Sequence, residues 1–123
     1  MCAHEAHAVS YPTVAEHFRD RAPDVRGTYS EILKAARKLG PFHEEPRKTS
    51  IHLVRRTAFA GIATRKTALI LTLKSETDIK SNRIFKREQA SANRWHLEIR
   101  LETPAEVDRE IVGWLKNAYE LAG

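Results

Sequence analysis

The sequence has too little cysteine, glycine and continuous hydrophobicity for several classes of protein. Cys2 is the only cysteine among 123 residues, so an internal disulfide is excluded. Five glycines and no glycine-rich motif argue against a phosphate-cradling loop. No apolar run approaches the ~20 residues that span a bilayer, and the first ten residues lack the pattern of a secretory signal. These absences predict a cytoplasmic protein with no membrane contact.

What remains is the composition of an ordinary folded domain. Hydrophobic residues make up 41% of the chain and charged residues 30%, which is typical of globular proteins. A chain of this length can bury one modest core. Residues 1–11 have no apolar period, so we expect a flexible tail there and a single α+β domain over residues 12–123.

Positive charge is concentrated in the middle of the chain, within a formal net charge of +5. Residues 47–102 hold thirteen basic and five acidic residues, whereas the segments on either side are slightly acidic. Residues 47–75 contain seven Lys or Arg and no Asp or Glu. This pattern fits either a solvated face or a surface for an anionic partner.

Three helices are predicted from caps and from 3.6-residue periodicity. Residues 13–16 form a capping box that begins a short helix. A second helix follows over residues 23–39, with Pro23 in its first turn and Gly40 at its end. A second capping box at residues 103–106, followed by apolar residues at spacings of 4, 3, 4 and 3, predicts a C-terminal helix from that point.

Alternating apolar residues predict strands at residues 49–56, 58–63, 68–74 and 94–102, with residues 42–46 as a connection or an edge strand. The order predicts an α+β fold: two N-terminal helices, an antiparallel sheet of about four to five strands, and one C-terminal helix packed on the same sheet face. The other face would be open to water. The predicted core face carries Ile51, Leu53, Phe59, Leu71, Trp95 and Ile99.

Residues 75–93 lose all alternation, and we expect an irregular loop there, of a length that is often functional or mobile. Its large apolar residues include Ile84 and Phe85, which could form an apolar contact. One hypothesis is therefore a protein–protein interaction module or a homodimer built on the exposed sheet edge.

Two clusters of metal-ligating residue types do not support a site. Cys2, His4 and His7 lie close together near the N-terminus, but in a segment with no expected structure to hold a metal. Glu76, Asp78 and Lys80 resemble part of a metal-dependent nuclease, yet such clusters are common in loops. We expect no metal and no cofactor.

His52 and His96 could share the open sheet face. With Arg100, Arg56 and Lys74 they would form a cationic pocket, and a histidine near its usual pKa could act there as acid or base. No carboxylate is placed beside them by spacing. This pattern leaves open an enzyme, a ligand site and ordinary surface histidines.

Three basic pairs mark the predicted strand ends and turns of the sheet. Lys and Arg at such places either contact phosphates or protect strand edges from aggregation. Single-stranded nucleic acid would also require exposed aromatic residues, and the aromatics of the predicted core do not supply them. The tentative anion-binding residues are Arg47, Lys48, Arg55, Arg56, Arg65 and Lys66.

Several short motifs resemble a family of small bacterial domains of unknown function. Over residues 13–122 they are Gly40-Pro41, Arg47-Lys48-Thr49-Ser50-Ile51, Phe59-Ala60-Gly61, Arg65-Lys66, Arg100-Leu101, Val107-Asp108, Trp114-Leu115 and Ala118-Tyr119. More distantly, the chain is similar to the frataxin/YjbR-like α+β superfamily. The resemblance implies helices, an antiparallel sheet and a closing helix, and it implies no activity. Frataxin-like metal delivery uses an acidic surface, whereas this sheet is basic, which argues against iron binding.

The sequence therefore predicts a non-catalytic binding module whose basic sheet surface contacts nucleic acid or a phosphorylated ligand. An enzyme that uses His52 or His96, with Arg100 as an anion anchor, and a protein–protein interaction module remain as alternatives.

Overall fold

The computed structural model describes residues 11–123 and has an α+β architecture. Residues 1–10 are outside this range, and with them the Cys2, His4 and His7 group and most of the predicted tail. The helices are α1 (Val14–His17), α2 (Pro23–Arg37) and α3 (Arg109–Leu121), with a 3-10 turn at Pro104–Glu106. The strands are β1 (His43–Pro46), β2 (Ile51–Val54), β3 (Ala58–Thr64), β4 (Leu69–Ser75), β5 (Ile84–Ser91) and β6 (Arg94–Leu101).

The six strands form one antiparallel sheet in the order β1-β2-β3-β4-β6-β5. A row of core residues crosses it in register: Ile51, Ile62, Leu71 and Ile99 are at most 1% exposed. α2 and α3 contact each other and pack on this face. Burial of this apolar layer supplies the main stabilisation of the fold.

Local sequence signals fix the N-terminal helices. The Thr13 hydroxyl accepts the backbone N–H of Glu16 at 3.2 Å, and the Glu16 carboxylate accepts that of Thr13 at 2.7 Å. Pro23 opens α2, as expected from its fixed φ. Gly40 follows α2 with φ of +148°, and a Cβ there would collide with the Tyr119 hydroxyl. The turn into β1 therefore requires glycine.

The prediction of an irregular loop over residues 75–93 is wrong in its second half. Residues 84–91 form β5, which pairs with β6 at the edge of the sheet and raises the strand count to six. In β5 only Ile84 is buried, and every residue from Phe85 to Ser91 is exposed. A strand exposed on both faces has no apolar alternation, which is why the pattern missed it.

The start of the C-terminal helix also differs from the prediction. The capping box of Thr103 and Glu106 is present, but it begins a 3-10 turn at Pro104–Glu106 and not the helix. α3 begins at Arg109, where the Asp108 carboxylate accepts the backbone N–H of Ile111 at 3.2 Å. No helix within residues 11–123 has the length and apolar character needed to cross a membrane.

Candidate functional site

The face of the sheet opposite the helices, here called the open face, is defined by the row His52, Gly61, Thr72 and Glu98. These residues are in register across β2, β3, β4 and β6, and all four are partly exposed. The alternation of each strand that buries Ile51 and Leu71 on one side thus presents polar groups on the other.

A depression of about 290 Å³ lies in the middle of the open face. We call it the central depression. Its polar lining comes from three strands: Ser50 and His52 at the start of β2, Thr72 and Lys74 on β4, and His96 on β6. Its floor is β3, where the small residues Ala58, Gly61 and Ala63 lie. The size suits a small metabolite.

Gly61 makes this surface concave. A methyl group at that position would lie 3.8 Å from Cβ of Thr72 and 3.9 Å from Cδ2 of His52, which are ordinary contact distances. The absent side chain therefore leaves a gap between the side chains of the two flanking strands. A glycine inside a strand often marks a place where a ligand approaches the backbone.

Two basic groups of the central depression, His52 and Lys74, are partly removed from water. Burial lowers the pKa of His52, with a further contribution from Arg47 that Glu45 opposes. Burial, together with Arg94, lowers the pKa of Lys74. The Lys74 ammonium donates to the Thr57 hydroxyl at 3.2 Å. A bound anion would offset the desolvation of both groups.

Three carboxylates lie opposite lining residues on neighbouring strands, and each has a basic neighbour. Glu45 pairs with His43 at 3.1 Å and with Arg47, and Glu98 lies 3.8 Å from Lys86. Glu88 lies 3.8 Å from Nδ1 of His96. Among the described residues, no Asp or Glu lines the depression itself. Its interior therefore presents hydrogen-bond donors and positive charge.

The structure separates the six predicted anion-binding residues into two groups. Arg47-Lys48 and Arg65-Lys66 lie in the β1–β2 and β3–β4 turns, at one end of the sheet, here called the basic end. Arg55-Arg56 lies in the β2–β3 turn at the opposite end. An antiparallel meander places successive turns at alternate ends, so the three pairs do not share one patch.

Some of these side chains have structural contacts. The Arg55 guanidinium stacks on Tyr119, 4.3 Å from the ring centroid, and donates to the Tyr119 carbonyl at 3.0 Å. Arg47 pairs with Glu45. Lys48, Arg56, Arg65 and Lys66 have no ion pair with any residue of 11–123.

Of the predicted pocket residues, His52 and His96 line the same depression, and Arg100 does not. Arg100 pairs in register with Ile70, nearer the basic end, where it lines a different cleft. The sequence prediction did not include Ser50, Gly61 or Thr72 in the pocket. The glycine inside a strand was the one signal that pointed to a concave surface.

The remaining sequence clusters have structural roles. Asp78 pairs with Lys80 at 2.9 Å and with Arg87 at 2.7 Å, and these bonds hold its pKa below the usual range. Ile84 is buried in the core, so only Phe85 of the predicted apolar pair is exposed. Within residues 11–123, no group of three or more His, Cys, Asp or Glu side chains is placed to hold a metal ion.

The fold and the site define a class of protein: a small α+β domain with helices on one sheet face and a polar depression on the other. The chain belongs to the family described as "Domain of unknown function (DUF5655)", whose model matches residues 14–122. No curated protein and no solved structure matches the chain. The distant frataxin/YjbR-like resemblance stays a prediction.

Proposed function

We propose that this domain is a non-catalytic binding module that holds a small phosphorylated ligand in the central depression. The observation that carries the proposal is the chemistry of the lining: an ammonium, two imidazoles and two hydroxyls from Ser50 and Thr72, with no lining carboxylate within residues 11–123. Each of these groups can donate a hydrogen bond to a phosphoryl oxygen.

Lys74 is the residue on which the affinity depends most. Its ammonium is partly desolvated, and its protein hydrogen bond is to a neutral hydroxyl, that of Thr57. A phosphate oxygen beside it would form a charge-assisted hydrogen bond, which is about twice as strong as a neutral one. His52 and His96 would approach the same ligand from β2 and β6.

A nucleic acid remains within the proposal only as a partner for the basic end. Lys48, Arg65 and Lys66 lie there without ion pairs among the described residues, and Arg47 lies beside them. Such a contact would read phosphates and not sequence.

The test is titration of the full-length protein with inorganic phosphate, followed by NMR of backbone amides. We expect shifts at residues 52, 61, 72, 74 and 96. Lys74→Met should weaken phosphate binding about tenfold, the scale of one hydrogen bond to a charged group. Lys116→Met is the matched control, since Lys116 is an exposed lysine on α3, and it should bind as wild type does. Wild-type affinity in Lys74→Met, or shifts confined to other residues, would refute the proposal.

An enzyme is the second candidate, and one distance favours it. His96 Nδ1 lies 3.8 Å from Oε1 of Glu88, so a carboxylate could orient this histidine as a general base once the pair tightens around a ligand. Under this proposal Glu88→Gln would change the tautomer of His96, measured from the chemical shifts of its ring nitrogens by NMR in the ligand-bound protein. An unchanged tautomer would leave His96 as a binding group only.

A further inference from the structure

A second cleft lies at the basic end of the sheet and has different chemistry. It encloses about 590 Å³ between β4, β5 and β6 and is lined by Arg65, Ile70, Asn82, Arg83, Phe85, Arg100 and Glu106. We call it the Phe85 cleft. Two of its lining residues, Ile70 and Phe85, are apolar, and three are arginines. It shares no lining residue with the central depression.

Phe85 is directed into solvent by a β-bulge. The register between β5 and β6 shifts between Ile84 and Lys86, so Phe85 has no partner residue on β6. Ile84 points into the core, whereas the Phe85 side chain is 57% exposed. Bulges re-aim side chains and are frequent beside functional sites. An exposed aromatic ring beside a polar cleft offers a stacking platform.

The segment that carries Phe85 is held in place from both sides. On one side, Arg83 donates to Asp108 at 3.0 Å, to Glu110 at 3.0 Å and to the Glu106 carbonyl at 2.9 Å. On the other, Arg87 donates to Asp78 at 2.7 Å and to the carbonyls of residues 79 and 81. The ring is therefore exposed on a fixed backbone, which lowers the ordering cost of binding a flat ligand.

Two other arginines remain for a ligand. Arg65 donates to the neighbouring Thr64 carbonyl at 3.2 Å and has no carboxylate partner within residues 11–123. Arg100 pairs with Glu102 at 3.1 Å, but both side chains are about half exposed, so this ion pair is weak. Glu106 lines the same cleft, but its Oε1 accepts the backbone N–H groups of residues 102 and 103.

We propose that the Phe85 cleft binds a nucleotide, with the base stacked on Phe85 over Ile70 and the phosphate held by Arg65 and Arg100. A flat ring needs a stacking face, and a phosphate suits the planar donors of arginine. The ligand is either a free mononucleotide or one nucleotide of a single strand. This site is independent of the small-phosphate site proposed above.

The experiment compares four probes on the full-length protein: adenosine monophosphate, adenosine, inorganic phosphate and a single-stranded tetranucleotide. NMR shifts at residues 65, 82, 85 and 100 locate the binding. Phe85→Ala should weaken mononucleotide binding about tenfold or more, the scale of one base–aromatic stacking contact, and should leave phosphate binding unchanged. Arg65→Ala should weaken binding of both the mononucleotide and phosphate at this cleft.

Matched variants distinguish stacking on Phe85 from nonspecific hydrophobic contact and from loss of stability. Tyr11→Ala removes the other exposed large hydrophobic residue within residues 11–123, 43% exposed, and should bind as wild type does. Lys74→Met, which tests the central depression, should also leave nucleotide binding here unchanged. Phe85→Tyr keeps the ring and should retain affinity, so a loss in Phe85→Ala with retention in Phe85→Tyr supports stacking even if the alanine variant is less stable.

Comparison of the single-stranded tetranucleotide with the mononucleotide identifies the source of the nucleotide. A tetranucleotide that binds much more tightly than the mononucleotide, with both weakened by Phe85→Ala, indicates a single strand. Equal affinities per site indicate a free nucleotide. The proposal is overturned if the mononucleotide shifts none of residues 65, 82, 85 and 100, or if Phe85→Ala binds it as tightly as wild type.

Discussion

Gly61 is the residue on which the shape of the central depression depends. A methyl group there would meet Thr72 and His52 only at ordinary contact distances. Gly61→Ala should therefore fold, with stability unchanged or raised by about 0.4–1 kcal/mol. It should also weaken phosphate binding, because the methyl group occupies the floor of the depression.

Gly113→Ala is the control for this prediction. Gly113 is exposed on α3 with no atom within 4 Å of an added Cβ, so alanine should stabilise the protein through helix propensity and leave binding unchanged. Urea denaturation and the phosphate titration measure both properties. Wild-type phosphate affinity in Gly61→Ala would mean that the ligand does not reach the floor.

His52 should make stability depend on pH. Its pKa is lower in the folded protein than in the unfolded chain, because of burial and then Arg47, with Glu45 acting in the opposite direction. The unfolded chain therefore takes up the proton first as pH falls through about 6.5. The contribution of the neutral His52 to the free energy of unfolding is therefore complete above that pH and is lost as the pH falls below it.

Replacement of the imidazole tests this sign. Between pH 7.5 and 5.5, His52→Gln should show a smaller fall in the free energy of unfolding than wild type, measured by urea denaturation. Phosphate affinity should change in the opposite direction in wild type, rising as pH falls, because an anion favours the protonated imidazole. A variant with the full wild-type pH dependence would contradict this account.

At the scale of elements, Arg83 connects the start of β5 to the start of α3. Its side chain is 24% exposed and bonds to Asp108, the N-cap of α3, and to Glu110 and the Glu106 carbonyl. Arg83→Met should lower the free energy of unfolding by about 1–3 kcal/mol, because these bonds involve charged groups. Urea denaturation measures this loss.

Arg109→Met is the comparison for Arg83. Arg109 lies next to the same N-cap but has no ion pair within residues 11–123, so its loss should cost little. Arg83 also holds the pKa of Asp108 below its usual range, and the stabilisation should disappear as pH falls through the folded pKa of that carboxyl group. Equal effects of the two variants would show that the connection contributes nothing measurable.

The elements that sequence predicted correctly are those whose side chains separate into a buried and an exposed face. α2 has an apolar stripe and β6 alternates strictly, so the apolar residues of each element recur in the sequence with the period of a helix or of a strand. β5 buries Ile84 alone and leaves no period. The true N-cap of α3, Asp108, was hidden because a complete capping box precedes it at residues 103–106.

The central depression could be predicted only in part. Alternation placed His52 and His96 on one face, but their meeting depends on the order β2-β3-β4-β6, which joins strands distant in sequence. Arg100 is on the same strand as His96 but lies nearer the basic end, opposite Ile70, and therefore lines another cleft. Side-chain periodicity gives the face of a residue and not its neighbours on adjacent strands.

At the scale of the whole molecule, the division of the basic pairs limits how a polyanion can bind. The basic end holds Arg47, Lys48, Arg65 and Lys66, while Arg55 and Arg56 lie at the other end. A short duplex DNA that contacts one end should show a log–log salt slope of about −3 to −4, from about 0.9 per neutralised phosphate. Fluorescence anisotropy over a salt series measures this slope.

Two variants locate the contact. Lys48→Ala combined with Lys66→Ala should reduce the magnitude of the slope by about 2. Arg56→Ala, at the far end, should not change it. A reduced slope in Arg56→Ala would mean that the nucleic acid contacts both ends of the sheet. A slope near zero in the wild-type protein would mean that these basic residues are solvated and contact no phosphates.

The position of β5 has a consequence for local opening. It pairs with β6 on one side only, and Ile84 is its one buried residue, so its attachment depends on that pairing and on the surface bonds of Arg83 and Arg87. Such a strand can detach from the sheet at a free-energy cost below that of global unfolding, so its amides should exchange with solvent before those of β4. Since Phe85 lies on this strand, a ligand stacked on its ring would slow the exchange of β5, and the rate would report occupancy of the cleft.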